Sequence, residues 1–290
     1  PAKPLAAPAW TCRSRCAAVM KDNPRSAPKV SRGSTNCSSA EGEHSRGPMR
    51  PLSMPRALNP AEIFERAAEE GKRRLDQGLL ALLATGFIAG FTIVFGSAAQ
   101  ALIHSAAQPH FGEFASVLGA LGFAVGVVFL IVGRAELFSE NFFDPIATAF
   151  EGRERRVLRR LLRLWALTLA LNIAGGALLV LIFSVDGALH EGARESIVAL
   201  AEELANRAPL ATFVRSIVGG ALVALLSFLV VAAQGSGARA MMAFAVGFML
   251  ALGPFEHVVV SMLHILFGLF IGADLAVHHL AKIGAISLVG

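Results

Sequence analysis

Charge is what this sequence has least of. Only 16% of its 290 residues are charged and 54% are hydrophobic, whereas an average soluble domain carries roughly 25% charged residues. Several apolar runs reach the about 20 residues that a helix needs to cross a bilayer. A soluble protein of this length buries a core without runs so continuous, so that class is excluded. Cysteine is scarce as well. Cys12, Cys16 and Cys37 all lie near the N-terminus, and their spacing gives neither a disulfide framework nor a metal-ligand set with supporting histidines. No nucleotide-binding loop and no nucleophile–base pair stands in a supporting context. Nothing therefore points to an enzyme, a metal or a cofactor. Tyrosine is absent altogether, and no physical reason for that presents itself. What remains is an all-α, multi-pass membrane protein.

The net charge of +5 is misleading as a global property. Fourteen of the 26 Lys and Arg precede Leu79, and six more are Arg153, Arg155, Arg156, Arg159, Arg160 and Arg163. Clusters flanking apolar runs are what the positive-inside rule produces. They do not suggest nucleic acid.

Residues 1–56 are rich in Pro, Ser, Arg and Ala without apolar periodicity, which predicts a disordered N-terminal tail. The tail has no continuous apolar core of a secretory signal. The chain begins at Pro1, and Met20, Met49 or Met54 is the expected true start. Residues 57–78 hold an amphipathic helix over 60–76, capped by Asn59 with Pro60 in its first turn, expected to lie at the cytoplasmic membrane surface. The transmembrane domain is 79–290. Its spans are expected at 79–107, 114–132, 161–183 and 210–233, with a short segment at 142–150. A fifth is expected in two pieces, 240–252 and 258–271, and a sixth from 275 is expected to be incomplete. The stretch 184–208 reads as an acidic polar loop on the outside. The basic clusters put the N-terminus in the cytoplasm.

Two places break the apolar runs at corresponding positions. Gly133-Arg134-Ala135-Glu136-Leu137-Phe138-Ser139 and Gly253-Pro254-Phe255-Glu256-His257 each carry a Glu three residues after a Gly, and the two glycines are 120 positions apart. Charged and helix-breaking residues at membrane depth are costly and persist mainly where they line a pathway. Paired interruptions in two halves mark the site of an inverted-repeat transporter. The expected fold is three plus three transmembrane helices with the second and fifth broken.

The residue types suggest roles. A neutral His257 in a dry pore can donate a hydrogen bond to an anion or give it a proton, or it can be a core histidine held by a carbonyl. Glu136 and Glu256 can meet substrate, but carboxylates repel anions. Their better reading is structural, accepting from backbone N–H groups freed at the breaks. Ser139 either contacts an anion or caps its loop. Arg207 reads as a solvated loop charge, Arg134 as a partner for Glu136 or Glu140, and His264 as packing. Asn172-Ile173-Ala174-Gly175-Gly176 and the pair Gly86 and Gly90 are small-residue faces for close helix contact, within a protomer or between protomers.

Ala135-Glu136-Leu137-Phe138-Ser139, Asn172-Ile173-Ala174-Gly175 and Phe255-Glu256-His257 with Ser261-Met262 together resemble the formate/nitrite transporter family, over about residues 60–290, and a divergent branch of it. Ser261, Pro254 and Ser139 stand where that family usually has Asn, Gly and Thr. The resemblance implies an aquaporin-like fold and a homopentamer in the bacterial inner membrane, with a pore in each protomer. It implies transport of small monovalent weak-acid anions, formate or nitrite first, with His257 as the central pore histidine. It further places Leu137, Phe138, Phe123 and Leu250 at apolar constrictions, which gate by excluding water. The competing readings are a neutral-solute channel of the same architecture and a transport-inactive membrane interaction protein. The first lacks a selectivity arginine and paired Asn-Pro-Ala half-helices here.

Overall fold

The computed structural model describes residues 58–151, 155–253 and 255–290, the side chains of 149–151, 155 and 156 excepted. The expected disordered tail, with all three cysteines, lies outside the described residues, as do Arg153 and Pro254. The regular elements among the described residues are all helical. In chain order they are α1 (Pro60–Leu75), α2 (Leu79–Phe111), α3 (Ala115–Val132), α4 (Phe143–Glu151), α5 (Arg155–Phe183), α6 (Glu191–Asn206), α7 (Pro209–Ala232), α8 (Ser236–Leu252), α9 (Val258–Ile271) and α10 (Val277–Val289).

The cap on α1 forms as the sequence predicts. Asn59 accepts the Glu62 N–H, while the Glu62 carboxylate accepts the Asn59 N–H at 2.8 Å, satisfying two donors that a helix start leaves free. Ile63, Ala67, Ala68 and Gly71 form its buried stripe. Gly71 lies so close to α4 that a Cβ there would overlap the Asp144 carbonyl.

By length and composition, Leu79–Val132, Val157–Phe183 and Pro209–Ala232 are long and apolar enough to cross a membrane. The first is 54 residues long and comprises α2 and α3, enough for two crossings at about 20 residues each. The 17-residue α8, the 14-residue α9 and the 13-residue α10 fall short of that length. Their outer neighbours show apolar side chains to the surroundings, as Leu80, Phe95, Phe129 and Leu210 do.

The polar stretch 184–208 is corrected from a loop to a helix over most of its length. α6 is too charged to register as apolar, yet Ala193, Ile197, Ala201 and Leu204 recur on one face and are buried, the stripe of an amphipathic helix. His190 caps it, its side chain accepting the Gly192 N–H. That is a capping signal outside the usual Ser, Thr, Asp and Asn set.

Between apolar helices in lipid the hydrophobic effect supplies little drive, and close packing with polar clamps takes its place. α2 and α5 show this. A Cβ on Gly90 would overlap the Asn172 carbonyl, and one on Gly175 would overlap the Phe87 carbonyl. Those small-residue faces are thus spent inside the protomer, not between protomers. α9 is apolar apart from Ser261 and His264 and mostly buried, with Val259, Ile265 and Phe267 fully enclosed. It is the central helix.

Candidate functional site

α3 stops at Val132. Gly133 follows, then Arg134 at φ 51°, a left-handed conformation that costs an L-residue roughly 1–2 kcal/mol. Residues 133–137 leave the helix, Phe138–Asn141 make a single 3₁₀ turn, and α4 resumes. α8 stops at Leu252 and α9 begins after His257. Each interruption hooks onto the span before it. Glu136 donates its N–H to the Thr85 carbonyl of α2, and Glu256 donates its N–H to the Arg215 carbonyl of α7, both at 3.3 Å.

Asn172 of α5 holds the first interruption. Its Oδ1 accepts the Phe138 N–H at 2.8 Å, and its Nδ2 donates to the carbonyls of Gly86 at 2.8 Å and Glu136 at 2.9 Å. One fully buried amide thereby satisfies three backbone groups. Ser261 does related work at the second interruption, donating to Glu256 Oε2 at 2.6 Å and accepting the His257 N–H at 3.4 Å.

The two glutamates are buried, but their carboxylates take arginines where freed N–H groups were expected. Arg73 donates to Glu136 Oε1 at 3.0 Å, and Arg74 lies 3.7 Å from Oε2. Arg207 donates to Glu256. Arg207 is therefore not the solvated charge the sequence suggested: it is 12% exposed and also pairs with Glu203 at 2.6 Å. Arg134 makes no ion pair among the described residues, since Arg73 and Arg74 hold the carboxylates expected for it. Arg74 sits within 4 Å of Glu70, Glu136, Glu140 and Asp144. Burial pulls its pKa down, but those four carboxylates outweigh that and hold the guanidinium above its ordinary range. Glu70, on the same helix, is pushed up by burial and more strongly down by hydrogen bonding and charge from Arg73 and Arg74.

His257 and Ser139 come together although 118 residues separate them. The imidazole Nε2 hydrogen-bonds the Ser139 hydroxyl. Its Nδ1 accepts the Val260 N–H at 3.4 Å, so His257 is also the N-cap of α9. With Nδ1 accepting, the ring proton sits on Nε2 and points at Ser139.

Two cavities flank these interruptions. The first, about 450 Å³, is lined by Ser97, Gln100, His104, Phe123, Leu250 and His257 among others. The second, about 440 Å³, is lined by α1 arginines, Arg134, Glu136, Glu140, Asp144 and Arg239. α3 contributes Phe123 to the first and Leu130 to the second, while α8 contributes Leu250 to the first and Arg239 to the second. The cavities therefore sit toward opposite ends of both helices. Phe123 packs with Val127 and Leu226, with Leu250 against the same cluster. Leu137 and Phe138 are buried and line neither cavity; Phe138 packs edge-on against Phe142 at 5.2 Å. His264, expected to be packing alone, lines the first cavity. Arg73 and Arg74 escaped notice as site residues because a basic helix end reads as a topology signal.

The family model described as Formate/nitrite transporter matches residues 61–290. Inner membrane protein YfdC of Escherichia coli is 25% identical over 210 residues, covering 72% of this chain. This chain spans 66% of YfdC, just under two thirds of its length. Formate channel BtFdhC of Bacillus thuringiensis is 26% identical over 46% of this chain and 51% of its own length. Among solved structures, an FNT family ion channel aligns with a TM-score of 0.67 at 14% identity, covering 79% of this chain and 92% of its own. A pentameric formate channel with formate bound aligns with a TM-score of 0.55 at 19% identity, over 77% of this chain and 94% of its own. Those two alignments establish the fold.

Proposed function

We propose that this chain, which belongs to the formate/nitrite transporter family, passes small monovalent weak-acid anions such as formate or nitrite through a pore in each protomer. A member of that family is a membrane transport protein and not an enzyme. The observation that carries the reading is the hydrogen bond between His257 and Ser139, which joins the two interruptions, with His257 of the pair lining the first cavity. A polar pair there can hold an anion at the point where desolvation costs most. His257 links passage to a proton by neutralising the anion at the constriction.

The apolar constriction in this reading is Phe123 and Leu250 on the first cavity, together with Leu137 and Phe138 at the first interruption. Glu136, Glu256 and Asn172 keep the interruptions open and do not touch the anion, since their polar atoms serve Arg73, Arg207 and the backbone. The matched bonds from Glu136 to α2 and from Glu256 to α7 support two repeats of opposite orientation, α1–α5 and α6–α10, with the second and fifth spans broken. The protein then works as a homopentamer in the bacterial inner membrane with its N-terminus in the cytoplasm. The pentameric formate channel and YfdC support that assembly and location.

The test is flux in proteoliposomes with formate, nitrite, acetate, lactate and hydrosulfide, alongside water and glycerol. Saturable formate or nitrite flux is expected. Glycerol passage without flux of any anion sinks the reading in favour of a neutral-solute channel.

A further inference from the structure

Three histidine–serine pairs stand at the first cavity, two of them lining it with both members and the third, His257 with Ser139, through its histidine alone. His257 Nε2 meets Ser139, His264 Nε2 meets Ser97 Oγ at 2.8 Å, and His104 Nδ1 meets Ser196 Oγ at 3.2 Å. They differ in what they leave free. His257 commits both ring nitrogens, one to Ser139 and the other to the Val260 N–H. His264 lies seven residues farther along α9, two turns or about 10 Å away on nearly the same face. Only its Nε2 is engaged among the described residues, and the residue lines the cavity although it is buried.

Ser97 sets what His264 offers. Its hydroxyl has one proton, and the Ile93 carbonyl can accept it at 3.2 Å. In that arrangement Ser97 Oγ accepts from His264 Nε2–H, and Nδ1 is left as an acceptor. If the hydroxyl turns toward His264, Nε2 accepts and Nδ1 carries the ring proton. Each hydroxyl orientation thus goes with one ring tautomer. Exchange between them requires the ring to release its proton at Nε2 and take one at Nδ1 from solvent or from the acid form of the solute, which changes the free nitrogen from acceptor to donor. Such a group suits a weak acid, whose protonated form needs an acceptor and whose anion needs a donor. The unused nitrogen is not sealed among apolar side chains, where it would be costly; the residue faces the cavity, where a solute can reach it.

Among the described residues that line this cavity, no unpaired cation competes for an anion. Arg207, which lines the same cavity, is bound to Glu256 and Glu203. Recognition there falls to neutral hydrogen-bonding groups. We propose that His264, set by Ser97, is a second substrate-contacting station, which hydrogen-bonds a small carboxylate or its conjugate acid on its way to or from His257. The inference rests on the transport reading above.

The experiment uses the full chain and sodium formate, with binding followed by saturation-transfer NMR in detergent and flux in proteoliposomes. His264→Met keeps bulk and removes the hydrogen-bonding nitrogen; Ser97→Ala leaves the imidazole but removes its setting. Each is expected to raise the half-saturating formate concentration in both measurements by about five-fold, the worth of one typical net hydrogen bond. Assembly is expected to stay intact. Half-saturation unchanged in an assembled His264→Met overturns the proposal. If His264→Met fails to assemble, unchanged half-saturation in Ser97→Ala overturns it. Wild-type protein that binds formate in a His264-dependent way but passes none leaves the station standing and removes the transport reading. Wild-type protein that passes formate with His264→Met indistinguishable does the reverse. Protein that neither binds nor passes formate sinks both.

Discussion

Asn172 and Phe138 are joined by a 2.8 Å hydrogen bond in which the side-chain amide of α5 accepts the first N–H of the 3₁₀ turn after the interruption. The same amide donates to two carbonyls, so a single residue replaces the ladder that α3 gives up at Val132. Asn172→Ala leaves the Phe138 N–H and the Glu136 carbonyl without partners, at about 1–3 kcal/mol each, while the Gly86 carbonyl keeps its place in the α2 ladder. The expected outcome is a drop in thermal midpoint and in assembled yield. Asn172→Asp keeps the acceptor for Phe138 but sets a buried carboxylate oxygen against the Gly86 and Glu136 carbonyls, so it should be at least as damaging as Asn172→Ala. Equal stability of all three proteins, by melting in detergent, removes Asn172 from this role.

At the second interruption the buried partner is a charge. Arg207→Ala strands the Glu256 carboxylate with only Ser261 to serve it, and breaking a buried pair this way costs about 3–5 kcal/mol. Glu256→Gln, which removes the charge and keeps the shape, should cost less. The pair of melts decides the matter: Glu256→Gln more damaging than Arg207→Ala contradicts the account.

Gly90→Ala forces a methyl group into the Asn172 carbonyl. α2 and α5 then have to separate, and with them the clamp on the first interruption. Reduced assembly and loss of flux are expected, whereas Gly220→Ala, where a Cβ meets nothing within 4 Å, should behave as wild type. Size-exclusion profiles compare the two directly.

The docking of α1 should depend on pH through Glu70. Its folded pKa lies below the ordinary value of 4.5 because Arg73 and Arg74 outweigh the burial that raises it. A group depressed in the folded state contributes stability that is fully present above its unfolded pKa and is lost as pH falls through the folded one. The share of α1 amide protection that Glu70 contributes should therefore be present at neutral pH and be lost on the acid side of about 4.5. In Glu70→Gln the acid-side loss should shrink, because the titrating group is gone. Glu70 is about a third exposed, so the effect is modest. An acid-side loss as large in Glu70→Gln as in wild type assigns it to other groups.

His257→Asn tests the proton linkage. Asn retains polarity and cannot titrate, so transport should continue with a flattened dependence on pH. An unchanged profile at normal expression leaves the apolar constriction as the selective element.

Much of this architecture was legible from sequence, for identifiable reasons. Helix periodicity and caps located α1, and apolar length located α2, α3, α5 and α7, because lipid forces such segments to be continuous. The two interruptions announced themselves as charge and glycine where neither belongs. α6 was missed because its signal is a stripe on a polar background. The partners of Glu136 and Glu256 were missed because Arg73, Arg74 and Arg207 lie 63, 62 and 49 residues away, and no local pattern encodes such a reach. The same holds for His264, whose partner Ser97 is 167 residues distant. His257 and Ser139 were each singled out, but their contact is a product of tertiary folding.

The two cavities have an electrical consequence. Phe123 and Leu130, which border one each, are seven residues apart on α3, or about 10 Å along its axis. Cavities that reach that close leave only a thin apolar septum to support the membrane potential, instead of the full hydrocarbon thickness. A charge crossing the septum moves through most of the field in that short distance, at about 2.3 kcal/mol per elementary charge per 100 mV. An ionised solute should thus show steep voltage dependence, and a solute that crosses as its neutral acid should show almost none.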